Sequence, residues 1–343
     1  MKKSVYLHRD TLTHKHINTF KNMDLPKIHS ITKKIFVALV GGFLLVFLLF
    51  HMTANLFILR HDDGEWYSAF CHFMGTNWLV KIMEIGLLGF IALHILLTIW
   101  LAITNRLARP VRYHHASRTK THPGSKLMIW TGVLIFACIC IHFYDFYLVK
   151  IGMVKGEYMV EVEKLQSEEV NTLMQYSAQS GMSPADVVAN VETQMAMYAD
   201  QMTPDQQAEM EANLENLRKA VPVAGLISNA MAEQKFSDDH KWIRHLDYDQ
   251  RTMLKENAPD CGVEPDFYFL TRSKFSHLHI VIGYLIFFLI IFFHLSHAFP
   301  SVFQTLGLNN YKYNPIIEAL GKIYTWIIVL GFACVPILVY LGL

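Results

Sequence analysis

His51, His94, His142 and His294 each fall inside a long apolar stretch of this chain. An ionisable side chain in such surroundings is costly, so each is a candidate functional group. Neutral imidazole presents a ring nitrogen to a metal ion, and near neutral pH it also takes up and releases protons. A lone histidine on an apolar helix is ordinarily a neutral, hydrogen-bonded core residue. One in each of four separate stretches is a pattern, and the pattern points to shared ligands.

The elements that must hold these histidines can be read from length. About 20 apolar residues cross the roughly 30 Å hydrocarbon core of a bilayer as a helix. Five runs reach that length: Ile35–Leu59, Trp78–Ile103, Leu127–Val149, His277–Phe299 and Ile323–Gly342. The first is too long, and too far behind a polar leader, to be a cleaved signal peptide. Basic residues crowd the leader (Lys2, Lys3, Arg9, Lys15, Lys21, Lys27, Lys33, Lys34). They also crowd the connection between the second and third runs (Arg106, Arg109, Arg112, Arg118, Lys120, Lys126), and the last connection carries Lys312 and Lys322. The bias sets the N-terminus inside and the C-terminus outside, as expected of a multi-pass protein of a bacterial cytoplasmic (inner) membrane.

Depth then pairs the histidines. At 1.5 Å per residue, His51 and His142 lie about 24 and 22 Å from the inner face, and His94 and His294 roughly 8–14 Å from it. Two at an outer level and two at an inner level suit two stacked haems, each iron taking one imidazole from either side. The expected ligands are His51 and His142 for the outer iron, and His94 and His294 for the inner iron. Zinc or copper would need its ligands at one point, but the levels are about 10 Å apart and no thiol or further carboxylate completes either pair. A proton relay would need partners, and Glu84 and Asp145 are the only carboxylates in the four histidine-bearing runs. His297 shares a helix face with His294 and is the alternative ligand.

Composition fits a chain with its apolar residues segregated. Hydrophobic residues make up 52% and charged residues 17%, against about 25% charged in soluble domains. The net charge of +1 offers no broad field for nucleic acid. From Lys150 to Ser276 the chain carries 12 Lys+Arg and 21 Asp+Glu, and elsewhere 18 and 8. That acidic stretch reads as an outer-side insertion with helices starting at Ser183-Pro184 and Thr203-Pro204, where a hydroxyl caps and proline takes the first position. The run Met195, Met197, Met202, Met210 reads as gap-filling core packing rather than a soft-metal site. Asp238-Asp239-His240 and Arg244-His245 read as hydrophilic loop. The five cysteines show neither framework spacing nor a covalent haem-attachment motif. The expected fold is therefore all-α: a five-transmembrane-helix bundle binding two haems, with a helical extramembrane insertion between the third and fourth spans. Its segments are a basic leader (1–34), spans one to three (35–149), the insertion (150–276) and spans four and five (277–343).

Several local motifs are familiar in order and spacing: Phe50-His51-Met52 with Asn55-Leu56, Gly75-Thr76-Asn77-Trp78, Asn105-Arg106-Leu107-Ala108-Arg109, His294-Leu295-Ser296-His297-Ala298-Phe299 and Gln304-Thr305-Leu306-Gly307. Over roughly residues 30–149 and 277–343 the chain resembles the cytochrome b membrane anchor of succinate:quinone oxidoreductases and fumarate reductases, in the single-subunit, five-helix, two-haem branch. The resemblance implies one axial ligand from each of the first four helices, at His51, His94, His142 and His294, and two haem b groups. It implies partners as well: an iron–sulfur subunit docked on the inner face, and a flavoprotein with FAD where succinate is oxidised. Electrons would pass to a quinone in the lipid, usually menaquinone, by a site needing a proton donor. His72 and Glu65, in the short outer loop, are candidates for it, beside the plainer reading of ordinary loop residues. The chain departs from the family in its long insertion. It also has Phe292 where fumarate reductase relatives carry a glutamate, which tilts the expectation toward succinate oxidation. Rival readings are a di-haem quinol-oxidising anchor of the nitrate reductase or hydrogenase type, and a haem-free scaffold or transporter.

Overall fold

The computed structural model describes residues 30–108, 123–237 and 239–343. The basic leader before residue 30, the arginine-rich connection 109–122 and Asp238 lie outside the described residues. In chain order, α1 (Ser30–Leu56) extends by a 3-10 turn to Leu59, and a short α2 (Glu65–Thr76) leads into α3 (Trp78–Leu107). α4 (Pro123–His142) runs on through a π-helical turn, Phe143–Tyr147, to Lys150. The next connection holds α5 (Glu168–Ser180), α6 (Pro184–Tyr198), α7 (Pro204–Ala232), α8 (Tyr248–Asn257) and α9 (Phe267–Phe275). α10 (Leu278–Thr305) and α11 (Asn314–Tyr340) follow.

Five helices, α1, α3, α4 with its continuation, α10 and α11, are long and apolar enough to cross a membrane. All five overrun the apolar runs that announce them, α10 and α11 furthest. α10 continues past Phe299 and through Pro300 to Thr305. It stops where Gly307 turns left-handed (φ +80) and the Leu308 amide donates to the Phe303 carbonyl at 3.0 Å, a closing bond that satisfies a last-turn acceptor. α11 begins with Pro315 in its first turn, where proline's fixed φ suits a helix start. α10 is the hub, packed on α4, α11 and α1, while α1 also packs on α3. α3 has no buried residue along its 30 positions.

The connection 150–276 is not all helix, a correction to the all-α expectation. Strands β1 (Tyr158–Glu161), β2 (Trp242–Leu246) and β3 (Glu264–Pro265) form an antiparallel sheet in the order β2-β1-β3. Tyr158, Val160, Ile243 and Leu246 of the sheet are buried in one cluster with Val223, Ala224 and Ile227 of α7. The register slips between Tyr158 and Val160, a bulge with the extra residue on β2, where His245 takes φ +58. Both expected caps form. Ser183 Oγ accepts from the Asp186 amide at 3.2 Å, and Thr203 Oγ1 from the Gln206 amide at 3.3 Å. Met195 packs against the core as expected, but Met197 is 67% exposed.

Asp239 and His240 lie in an exposed turn as expected, but Arg244 overturns the hydrophilic-loop reading for its own stretch. It lies on β2, buried, with Nε and Nη2 donating to the two Asp266 carboxylate oxygens at 2.7 and 3.1 Å. Its remaining donors reach Ser68 Oγ (2.7 Å) and the Asp63 carbonyl (2.9 Å) beside α2. The insertion is thus joined to the short α2 by a buried guanidinium. Gly64, which starts α2 with φ +76, faces the Tyr268 ring so closely that a β-carbon there would overlap it. Gly64→Ala combines a left-handed backbone penalty of about 1–2 kcal/mol with overpacking worth about 1–3 kcal/mol. A lower thermal unfolding midpoint for that variant is expected, with no change in any bound chromophore.

Candidate metal centre

His51 of α1 and His142, the last α-helical residue of α4, meet face to edge at the insertion end of the bundle. Their ring centroids are 6.0 Å apart with planes at 79°. Two imidazoles bound to one metal through bonds of about 2 Å hold their centroids roughly this far apart. The rings are fixed from several sides. Phe47 stacks on His51 at 5.4 Å, Phe332 of α11 lies 5.7 Å from it, and Phe146 lies 5.0 Å from His142. Each ring's Nδ1 faces a polar group: Asn55 Nδ2 at 3.4 Å from His51, and the Tyr284 hydroxyl at 3.5 Å from His142. The Tyr284 oxygen can accept from His142 Nδ1–H, which leaves Nε2 of His142 as the nitrogen available to a metal, whereas Asn55 Nδ2 is itself a donor and does not set that tautomer for His51.

The second pair lies toward the other end. His94 of α3 and His294 of α10 line one cavity with Ala38 and Gly41 of α1 and Met128 of α4, with a volume of about 130 Å³. Lys34 and Thr305 also line it. His294 Nδ1 lies 3.1 Å from Thr131 Oγ1, whose own hydroxyl donates to the Met128 carbonyl at 3.1 Å. The hydroxyl oxygen therefore accepts from His294 Nδ1–H, and Nε2 is again the free nitrogen. His94 Nδ1 is buried with no hydrogen-bond partner, an orphaned polar atom of the kind native interiors seldom leave unexplained.

These residues fit haem iron better than a bare ion. Each pair offers two imidazoles, and among the described residues no group of three His, Cys, Asp or Glu side chains converges as a metal site. The cavity shared by His94 and His294, with His94 Nδ1 unpartnered, agrees with a group held between α3 and α10. His51 with His142, and His94 with His294, are the residues that could hold two such groups. His297, the alternative, does not line the cavity. Its Nε2 lies 3.2 Å from Ser301 Oγ on its own helix.

The candidate proton donors both lie on α2. His72 of α2 binds Glu264 of β3 through Nδ1 at 2.8 Å and lies edge-on to Trp242 at 5.0 Å. It is thus part of the seam with the insertion. Glu65 occupies the first turn of α2, about two turns earlier. Of the two carboxylates noted in the spans, Glu84 pairs with Lys150, and Asp145 belongs to a buried cluster beside His142. Phe292 packs on Trp326 of α11 at 4.9 Å. All five cysteines are free, and burial pushes the Cys71 thiol up to about 12, so it stays protonated and inert. Compared with protein-family models, with curated proteins and with solved structures, the chain matches none.

Proposed function

We propose that this chain is the di-haem cytochrome b anchor of a succinate:quinone oxidoreductase or fumarate reductase. In this reading it carries electrons between an iron–sulfur partner and a quinone, usually menaquinone, in a bacterial inner membrane. The observation that carries the reading is the His51–His142 pair: two rings at metal-bridging separation, with the second nitrogen of His142 held by Tyr284, on two helices fit to span a bilayer. The cavity shared by His94 and His294 supports a second site at another depth. Bound haem would supply one-electron redox chemistry at a potential set by ligands and surroundings. What the chain's own residues do is narrower. The four histidines would hold iron, Tyr284 and Thr131 orient the rings of His142 and His294, and the aromatic side chains around His51 and His142 exclude water.

Substrate oxidation would take place on a flavoprotein partner reached through the iron–sulfur subunit, on the side of the basic leader and connection. The acidic insertion then lies on the outer side. The test is an optical difference spectrum of the gently purified complex, reduced first with succinate and then with dithionite. A Soret shift and α-band on adding succinate are expected. A band that only dithionite raises would remove succinate as the donor and favour another respiratory complex, whereas no band with either reductant would remove haem altogether.

A further inference from the structure

Immediately after His142 the helix widens into the π turn Phe143–Tyr147, a local distortion that commonly marks functional positions. Asp145 lies in that turn and is 8% exposed. Two residues from distant parts of the chain converge on it. Lys274, near the end of α9, donates from Nζ to Asp145 Oδ1 at 2.7 Å, and the Tyr284 hydroxyl of α10 donates to Asp145 Oδ2 at 3.3 Å. The same Tyr284 oxygen lies 3.5 Å from His142 Nδ1. Tyr284 is itself buried, with Phe275 at 5.1 Å and Phe288 at 6.1 Å from its ring.

The four groups form a directional chain. His142 Nδ1–H donates to the Tyr284 oxygen, the Tyr284 hydroxyl donates to the Asp145 carboxylate, and Lys274 supplies the counter-charge that a buried carboxylate needs. The other candidate ligands lack such a chain. His51 faces a neutral amide, His294 a neutral hydroxyl, and His94 Nδ1 has no partner. A carboxylate linked to the outer nitrogen of a metal-bound imidazole makes that imidazole a stronger electron donor, which favours the oxidised metal.

We propose that Asp145 and Tyr284 are positioning residues that hold His142 and lower the reduction potential of the centre it shares with His51, with Lys274 as the clamp supplied by the insertion. This rests on the reading of the His51–His142 pair as a haem site. It explains why an apolar span carries a buried acid at this point, and why the insertion returns a lysine to it.

The test is a redox titration of the two haems in the purified complex, with His51→Ala identifying the outer one by its loss. In Asp145→Asn and in Tyr284→Phe the outer midpoint should rise, by about 59 mV if the ratio of reduced to oxidised haem at fixed potential changes tenfold. The inner midpoint should stay in place. Tyr284→Phe keeps the ring and its packing, so it decides the matter if Asp145→Asn fails to assemble. Two haems with an unmoved outer midpoint in Tyr284→Phe, or equal shifts of both, would overturn the proposal alone. A wild-type chain without haem would overturn the proposed function too.

Discussion

Asp266→Ala should destabilise the seam between insertion and bundle by about 3–5 kcal/mol, because it leaves the Arg244 guanidinium buried without its counter-ion. Asp266 is fully buried, and Arg244 also sits 4.5 Å over the Phe269 ring. The carboxylate does more than neutralise charge, since its Oδ1 also accepts from the Phe269 amide at the start of α9. The loss should show as a lower thermal midpoint and as faster proteolysis within residues 150–276. Replacing both partners with apolar residues of similar volume should recover much of it, since an ion pair removed whole leaves no orphaned charge. If Asp266→Ala unfolded at the wild-type temperature, this seam would not be holding the two parts together.

The second large effect concerns haem content. On the proposed di-haem reading, removing His51 or His142 should each abolish the same haem, halving the pyridine-haemochrome yield per polypeptide. His94 and His294 should form the other complementation group. An iron held by two imidazoles would keep only one protein bond after the loss of either. His297 provides the control, because its Nε2 is turned toward Ser301 and it does not line the cavity. His297→Ala should retain both haems while His294→Ala loses one. The opposite outcome would transfer the ligand role to His297.

How much of this could be read from the chain depends on the range of the interactions. In an apolar span, sequence distance converts directly into depth, so the pairing of His51 with His142 could be read from counting residues along two helices. The caps at Ser183 and Thr203 depend only on the next three residues and were equally plain. Arg244 was not. Its strand is five residues long, a bulge at His245 breaks the alternation, and its partners Ser68 and Asp266 lie on different elements. An arginine beside a histidine in such a stretch looks like solvent-facing loop until the third dimension supplies a carboxylate. The same holds for His72, whose partner Glu264 is 192 residues away, and for Asp145, 129 residues from Lys274. Local signals placed the helices and the histidines, whereas the buried charge network was invisible because each member looks ordinary alone.

The Asp145–Lys274 contact has a consequence for how the chain folds. α4 and α10 must find each other across a connection of more than a hundred residues, and a coil of that length makes their encounter slow and entropically costly. Yet the chain leaves α4 and returns to α10 at nearly one place, where a lysine just before the return binds an acid just before the departure. The intervening segment has its own buried cluster and its own sheet. Once that segment has folded, the effective loop between the two helices shrinks to a few residues. The insertion then serves as a matchmaker in time, presenting the fourth spanning helix to the third as if they were neighbours in sequence.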